Sequence, residues 1–244
     1  MRIVSIDSSL GTQLLVCDAA PARTDQTQER ALTVLTRAAQ EDSRHHAESL
    51  GPMLAQALTD PAVAAQPLDA VVAATGPAPF TGLRAGLVTA RTVARARDLP
   101  VHGVESLDAV ARRALDELAQ QGGEDERSVV QVATDARRKE VYAARYRAKG
   151  ADDVERLGEI SVLPPARLAE VMSADGVTVV AGSGVGLYPE LGEGRTVLAP
   201  VSGDALVQVR VALARLEAGQ ELPTEPLYLR HADVQVPTTR KRYR

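Results

Sequence analysis

The chain has 244 residues, 45% of them apolar and 25% charged, with a formal net charge of −4. That length buries a sizeable core in one large domain or two small lobes, and the acidic balance excludes a protein that binds nucleic acid by overall charge alone. No apolar run reaches the roughly 18 residues that span a bilayer, and the opening MRIVSIDSS lacks the features of an export signal, so no membrane role and a cytoplasmic location are expected. Cys17 is the only cysteine, which rules out an internal disulfide and a thiolate metal cluster on one chain; its setting, LLVCDA, predicts a small buried core residue. With no Trp and one Phe, the chain also lacks the rings from which single-strand RNA readers build stacking platforms.

In chain order, Ile3 to Ile6 form a short apolar run, Asp7-Ser8-Ser9-Leu10-Gly11-Thr12 supplies turn chemistry, and LLVCDA resumes the apolar pattern. This predicts a β-hairpin with Asp7 at its turn. A third strand is expected near Ala31 to Thr36, a helix around Ser43 to Leu58, a buried strand at Leu68 to Thr75 and a helix with Thr81 as N-cap. A strand at Val101 to Val104 and a helix at Ser106 to Ala119, capped by Ser106, complete this half. After the polar segment QQGGEDERS, Val129 to Ala133 run into Asp135-Ala136-Arg137-Arg138-Lys139-Glu140 and then alternate through VYAARYR, which predicts a second hairpin with an Asp at the same place. An extended stretch from Glu155 to Val162, a short helix near Pro165 to Met172, a strand at Val177 to Ala181 and a helix at Ala205 to Ala218 follow. Because the order of elements repeats, the chain reads as an α/β protein of two related lobes, residues 1–119 and 120–244. The basic end TTRKRYR reads as a solvated tail, with a phosphate-contacting arm as the alternative.

The stretch GPAPFTGLRAG, Gly76 to Gly86, invites a phosphate-loop reading and does not satisfy one. It lacks the spacing and the Lys of a P-loop, and Pro77 and Pro79 remove backbone donors where a dinucleotide would need them. Run forward as a helix, it places Gly82, Gly86, Ala90 and Ala94 every four residues on one nearly flat face, flanked by Leu83 and Leu87. The preceding helix carries Leu50, Leu54 and Leu58 on one face with Ala47 and Met53 beside it, knobs for such a groove. The pair is either internal core or an outward face for a partner; glycines in a helix cost about 1 kcal/mol each and ask for a reason.

GPAPFTGLRAG resembles the GPGSFTGLR-type signature of the TsaB (YeaZ) family, bacterial tRNA threonylcarbamoyladenosine biosynthesis proteins of the actin-like, Hsp70-like and sugar-kinase-like superfamily. IDSS at the start, HAESLGP at His46 to Pro52, TDARRKEVYAA at Thr134 to Ala144 and PLYLR at Pro226 to Arg230 resemble further family motifs, in the family's order and over nearly the whole chain. The resemblance implies two actin-like (ribonuclease H-like) lobes and a non-catalytic scaffold. It implies docking of a TsaD-type transferase of the same fold through the helices carrying His46, Leu50, Met53, Leu54, Gly82, Leu83, Gly86, Leu87, Ala90 and Ala94. It also implies a TsaE-type ATPase as third component, with tRNA reached indirectly. Separately, because a small-residue stripe can be self-complementary, a homodimeric structural protein using the same helices on itself is a further alternative.

The transferase relative is expected to hold a metal with two histidines four apart; here the matching run GVESLDAV puts Ser106 and Val110 at those positions. No metal site and no catalytic residue are therefore assigned. A nucleotide would use Asp7, Ser8, Ser9 and Gly11 at one turn, Asp135 at the other, and Gly182 and Gly184 in AGSGVGLY. The second turn, DARRK, lacks the glycines that close amides on a phosphate, so any ATP or ADP site is expected to be weak or vestigial and no cofactor is required. Ser183 lacks the G-x-S-x-G elbow of a hydrolase. The alternatives are a standalone actin-like ATPase or kinase and a glycoprotease-like enzyme. Arg137, Arg138 and Lys139, with Arg240 to Arg244, are the clusters to test for tRNA contact.

Overall fold

A computed structural model describes residues 1–21, 28–40, 46–122, 128–200 and 202–230, the side chains of 46 and 47 excepted. The first sheet contains β1 (Arg2–Asp7), β2 (Thr12–Ala19), β3 (Leu32–Gln40), β4 (Ala70–Gly76) and β5 (Val101–Glu105), in the order β3-β2-β1-β4-β5. The first three strands pair antiparallel, while β4 and β5 join β1 in parallel. Both β1 and β4 are buried along their whole length, which is why they read as continuous runs rather than as alternation. On one face lie α1 (His46–Thr59), α2 (Pro61–Ala64) and α3 (Phe80–Arg97), whose Leu50, Leu83 and Leu87 close a core with Val4, Ile6 and Val71.

The second sheet repeats the plan with β6 (Val130–Asp135), β7 (Val141–Lys149), β8 (Asp153–Arg156), β9 (Ser161–Leu163), β10 (Val179–Ala181) and β11 (Thr196–Val197). Its path is β11-β10-β6-β7-β8, with β9 also on β7, so again a hairpin is extended by two parallel strands beside its first strand. Helix α4 (Ser106–Gln120), although it follows β5 without a loop, packs Leu107, Val110, Ala111 and Leu115 on Val130, Val132 and Tyr146 of the second sheet. The last helix, α7 (Ala205–Glu217), crosses back and packs Val207, Val209 and Val211 on Ile3, Leu15 and Val72 of the first. The sheets fall on either side of residues 120–129, and each lobe lends the other a covering helix. Helices α5 (Pro165–Ala174) and α6 (Ser183–Leu187) cover the other face of the second sheet, together with Leu191 of a 3-10 turn. Among the described residues, no helix is long and apolar enough to cross a membrane.

Two expected N-caps move. The N-cap of α3 is Pro79 and that of α4 is Glu105, neither with a side-chain cap bond, because the extended residue that enters each helix comes earlier than Thr81 or Ser106. Asp204 does cap α7, accepting from the Leu206 and Val207 amides at 2.7 and 3.4 Å. A short helix, α6, occupies Ser183–Leu187.

Helices α1 and α3 do pack on each other, but the glycine stripe has a different neighbour. The Ser8 hydroxyl donates to the Gly82 carbonyl at 2.7 Å, and a Cβ added at Gly86 would overlap Ser8 Oγ and lie 3.1 Å from Ser8 Cβ and 3.6 Å from Ile6 Cγ2. The stripe thus seats α3 against the end of β1. Gly86→Ala should lower stability by about 1–3 kcal/mol through this overlap. Gly51→Ala, in α1 with open space around its Cβ position, should raise stability by about 0.5–1 kcal/mol through helix propensity alone. Urea denaturation of the two variants, read as opposite shifts of midpoint at constant slope, checks the assignment.

Candidate functional site

The turns of the two hairpins face each other across a cleft of about 200 Å3 between the lobes. The first lobe contributes Ser8, Ser9, Pro77, Pro79 and Thr81; the second contributes Thr134, Asp135, Arg137 and Ser183; α4 adds Ser106 and Val110, and the approach to α7 adds Ser202 and Gly203. The two turns are built alike. Asp7 Oδ1 accepts from the Ser9 amide and Asp135 Oδ1 from the Arg137 amide, each at 2.8 Å, so each carboxylate engages a turn amide that a phosphate would otherwise meet. Both Asp residues shape their own turns.

The second turn differs from the expectation. Arg137, Arg138 and Lys139 all take left-handed backbone conformations, with φ of 63°, 54° and 59°, although none is glycine. That arrangement is held by the Arg137 guanidinium 3.3 Å from Asp135, by the Ala136 amide on the Glu140 carbonyl at 3.0 Å, and by Arg230, which donates to the Ala136 carbonyl at 2.8 Å. Gly11 sits in the first turn with φ of 69°. Gly182 and Gly184 are required by packing: a Cβ at Gly182 would overlap the Ala133 carbonyl, and one at Gly184 would lie 2.9 Å from it and 2.9 Å from Val141 Cγ1. Their role is to let α6 close on β6. Ser183 Oγ accepts from the Asp135 amide at 3.1 Å, and no histidine lines the cleft among the described residues, so the residue is held as a turn partner rather than as a nucleophile.

Three polar atoms beside the cleft have no partner: Asp7 Oδ2, Ser106 Oγ and Thr134 Oγ1. Sequence reasoning did not find Thr134 or Ser202, which reach the cleft only because the second hairpin and the exchanged helix bring them there. Ser106 and Val110 line the cleft wall. Among the described residues no three His, Cys, Asp or Glu side chains gather as a metal would need. Cys17 is buried in the core around α7, where burial pushes its thiol up to about 12.

The residues expected to dock a partner turn inward. Leu50, Gly82, Leu83, Gly86, Leu87, Ala90 and Ala94 are buried in the first lobe, Met53 and Leu54 are half-buried against the same core, and the His46 side chain lies outside the described residues. The apolar stripe faces its own sheet because that sheet needs a cover. The same two helices expose Glu48, Gly51, Pro52, Ala55 and Gln56 on α1, and Thr81, Arg84, Val88, Arg91, Thr92 and Arg95 on α3. Val88 is 63% exposed, the most exposed large apolar side chain among the described residues. The basic tail, Arg240 to Arg244, lies outside the described residues.

Burial pushes the Asp7 carboxyl up, the Ser9 hydrogen bonds offset this in part, and Asp204 adds to the rise. A carboxyl raised in the fold contributes stability that is complete below the ordinary carboxylate range and is lost as pH climbs through its folded value. Asp7→Asn keeps the acceptor for the Ser9 amide and removes the charge. Its urea midpoint should therefore exceed that of the parent chain at pH 7, and the difference should shrink as the pH falls towards about 4.

A family model described as "TsaD: tRNA N6-adenosine threonylcarbamoyltransferase" matches residues 37–213. An uncharacterized protein of Mycobacterium tuberculosis is 42% identical over 138 residues, 56% of this chain and 60% of its own, so the match spans less than two thirds of that relative. The tRNA threonylcarbamoyladenosine biosynthesis protein TsaB of Escherichia coli is 29% identical over 196 residues, 77% of this chain and 82% of that protein. A crystal structure from Pseudomonas aeruginosa, of an uncharacterized protein with similarity to peptidase YEAZ, superposes with a TM-score of 0.71 at 26% identity, covering 94% of this chain and 99% of that one. With the sheet order repeated in both lobes and a family model spanning most of the residues, the chain belongs to the family which that model describes, as a TsaB (YeaZ) member with the actin-like, ribonuclease H-like fold.

Proposed function

We propose that this chain is a non-catalytic subunit of the cytoplasmic machinery that forms threonylcarbamoyladenosine in tRNA, and that it supports a TsaD-type transferase by binding it. The observation that carries the reading is the cleft wall: Ser106 and Val110 line it at the two positions where the resemblance implies imidazoles in the transferase, and neither side chain supplies the nitrogen donor of such a site. The size of the cleft, about 200 Å3, supports it too, because sites for drug-sized ligands and cofactors begin at about 300 Å3. The docking face is the outer side of the α1–α3 pair, centred on Val88 with Pro52 and Ala55, rather than the inward stripe. An apolar side chain exposed to that degree, set between Arg84 and Arg91, suits a partner surface that is apolar at its centre and acidic around it. The same face on a second copy would give a homodimer that competes with the transferase, and a TsaE-type ATPase would join the heterodimer.

One observation favours a second reading, in which the cleft holds a small polar ligand or a nucleotide: the unpartnered oxygens of Asp7, Ser106 and Thr134. Calorimetric titration with ATP and Mg²⁺ separates the two, since heat with turnover would make the chain an enzyme and its absence leaves the subunit role. For the docking face, Val88→Asp should leave the melting temperature within about 2 °C, as an exposed site allows, and abolish co-elution with the purified transferase. The same variant should lose the ability to restore tRNA threonylcarbamoylation to transferase, ATPase and threonylcarbamoyl donor. Unchanged co-elution would move the interface elsewhere.

A further inference from the structure

The arginines of this chain are for the most part paired. Arg2, Arg30, Arg112, Arg210, Arg215 and Arg230 each reach a carboxylate, and Arg113 and Arg195 donate into backbone carbonyls. Helix α3 is different: Arg84, Arg91 and Arg95 are exposed, and none has a carboxylate within ion-pair distance among the described residues. At steps of seven and four residues they share one face of the helix, over about 16 Å of its length. Arg95 lies in the last turn, where the helix dipole welcomes a cation. Arg84 lies one turn from the positive end, which has no acidic residue and no side-chain cap, so the dipole opposes its charge.

Two rings join this row. The only Phe of the chain, Phe80, lies 4.9 Å from Tyr228, centroid to centroid, with planes tilted by 59°. The Arg84 guanidinium carbon lies 5.6 and 5.2 Å from the two ring centres, and its Nε donates to the Tyr228 hydroxyl at 2.8 Å. Tyr228 belongs to the extended segment after α7, which runs along α3: Arg91 donates to the Thr224 carbonyl at 2.6 Å, and the Leu227 amide donates to the Thr75 carbonyl at 2.8 Å. Pinning that segment explains the contacts of Arg84 and Arg91 with it. It does not explain why three adjacent cations lack acids on a chain with four more acidic than basic residues.

We infer that this face of α3, with the Phe80–Tyr228 pair, is an RNA-contacting surface: the guanidiniums meet successive phosphates and the exposed Tyr228 ring, backed by the half-buried Phe80, takes an unstacked base. Guanidinium forks suit phosphate oxygens, and an exposed ring beside them distinguishes a nucleic acid from an acidic protein, which offers carboxylates but no bases to stack. RNA rather than DNA as the probe rests on the tRNA-modification reading above. The site lies beside the cleft, since Pro79 and Thr81, the neighbours of Phe80, line it. Composition alone argued against a stacking platform, and the fold assembles a small one from residues distant in sequence.

The test titrates fluorescein-labelled unmodified tRNA with the purified full chain at 50, 100 and 200 mM salt, following anisotropy. Binding should weaken with salt, and the slope of log affinity against log salt should fall by about 1 for each of Arg84→Gln and Arg91→Gln, with several-fold weaker binding at 100 mM. Arg145→Gln, whose cation is paired with Asp175 on the second lobe, should behave as the parent chain. Absent binding by the parent chain at 50 mM salt, or an unchanged slope in both variants, overturns the inference. Equal displacement of the tRNA by polyglutamate also overturns it, assigning the face to an acidic protein. The titration needs no transferase, so the subunit reading stands or falls separately through co-elution of Val88→Asp with the transferase; because Val88 lies between Arg84 and Arg91 on the same helix face, transferase and tRNA should compete for that face.

Discussion

The arrangement of this molecule depends on a buried charge network between the two exchanged helices. Arg210 of α7 binds Asp116 of α4 at 2.7 Å and Asp152 before β8 at 2.7 Å, while Arg215 bridges Asp108 of α4 and Asp153 at 2.8 Å each. Arg112 adds Asp116 and the carbonyls of Gly150 and Asp153. Arg210 and Asp108 are each 4% exposed, so removing one partner would strand a charge away from water, a loss on the order of 3–5 kcal/mol. Ion pairs of this kind add less to stability than they add to geometric definition, because directional hydrogen bonds fix the helices at one angle where apolar packing would tolerate several.

That angle sets the cleft. Both helices run from the cleft to the network: α4 presents Ser106 and Val110 at its start and Asp116 later, and α7 is entered from Gly203 and carries Arg210 and Arg215 further on. The two hairpins reach the cleft from opposite lobes with their turn carboxylates engaged on their own amides. The result is a narrow space lined by hydroxyls. One oxygen of each turn carboxylate is committed to the frame itself, while Asp7 Oδ2, Ser106 Oγ and Thr134 Oγ1 beside the cleft have no partner.

Helix α3 divides its surface among several tasks. Its glycine face lies on β1 and carries one wall of the cleft; a flank meets α1; Val88 stays uncovered between Arg84 and Arg91 in the arginine row, which lies next to the C-terminal segment. Successive residues point about 100° apart, so each of these faces draws on residues three, four or seven apart, and Val88 shares its face with the arginines. The consequence is that a substitution at an exposed position of α3 leaves the fold in place, whereas one on the buried face changes it.

What the sequence by itself determined was local. The first hairpin follows from turn chemistry at Asp7 to Thr12 between apolar runs, β4 from an unbroken apolar stretch, and α3 from its periodicity; the family motifs in order then identified the two-lobed plan, and all of these are in the structure. The tertiary structure alone decided what covers each face. Periodicity divides a helix into an apolar and a polar side but does not name the neighbour, so the stripe at Gly82 to Ala94 read equally well as a partner groove and as the seat of β1. The exchange of α4 and α7 is invisible in sequence, because either sheet could bury either helix and only chain connectivity with the buried charges selects one pairing. The same holds for Arg84 and Tyr228, 144 residues apart: neither carries a mark of the other, and their meeting depends on the path of the backbone between them.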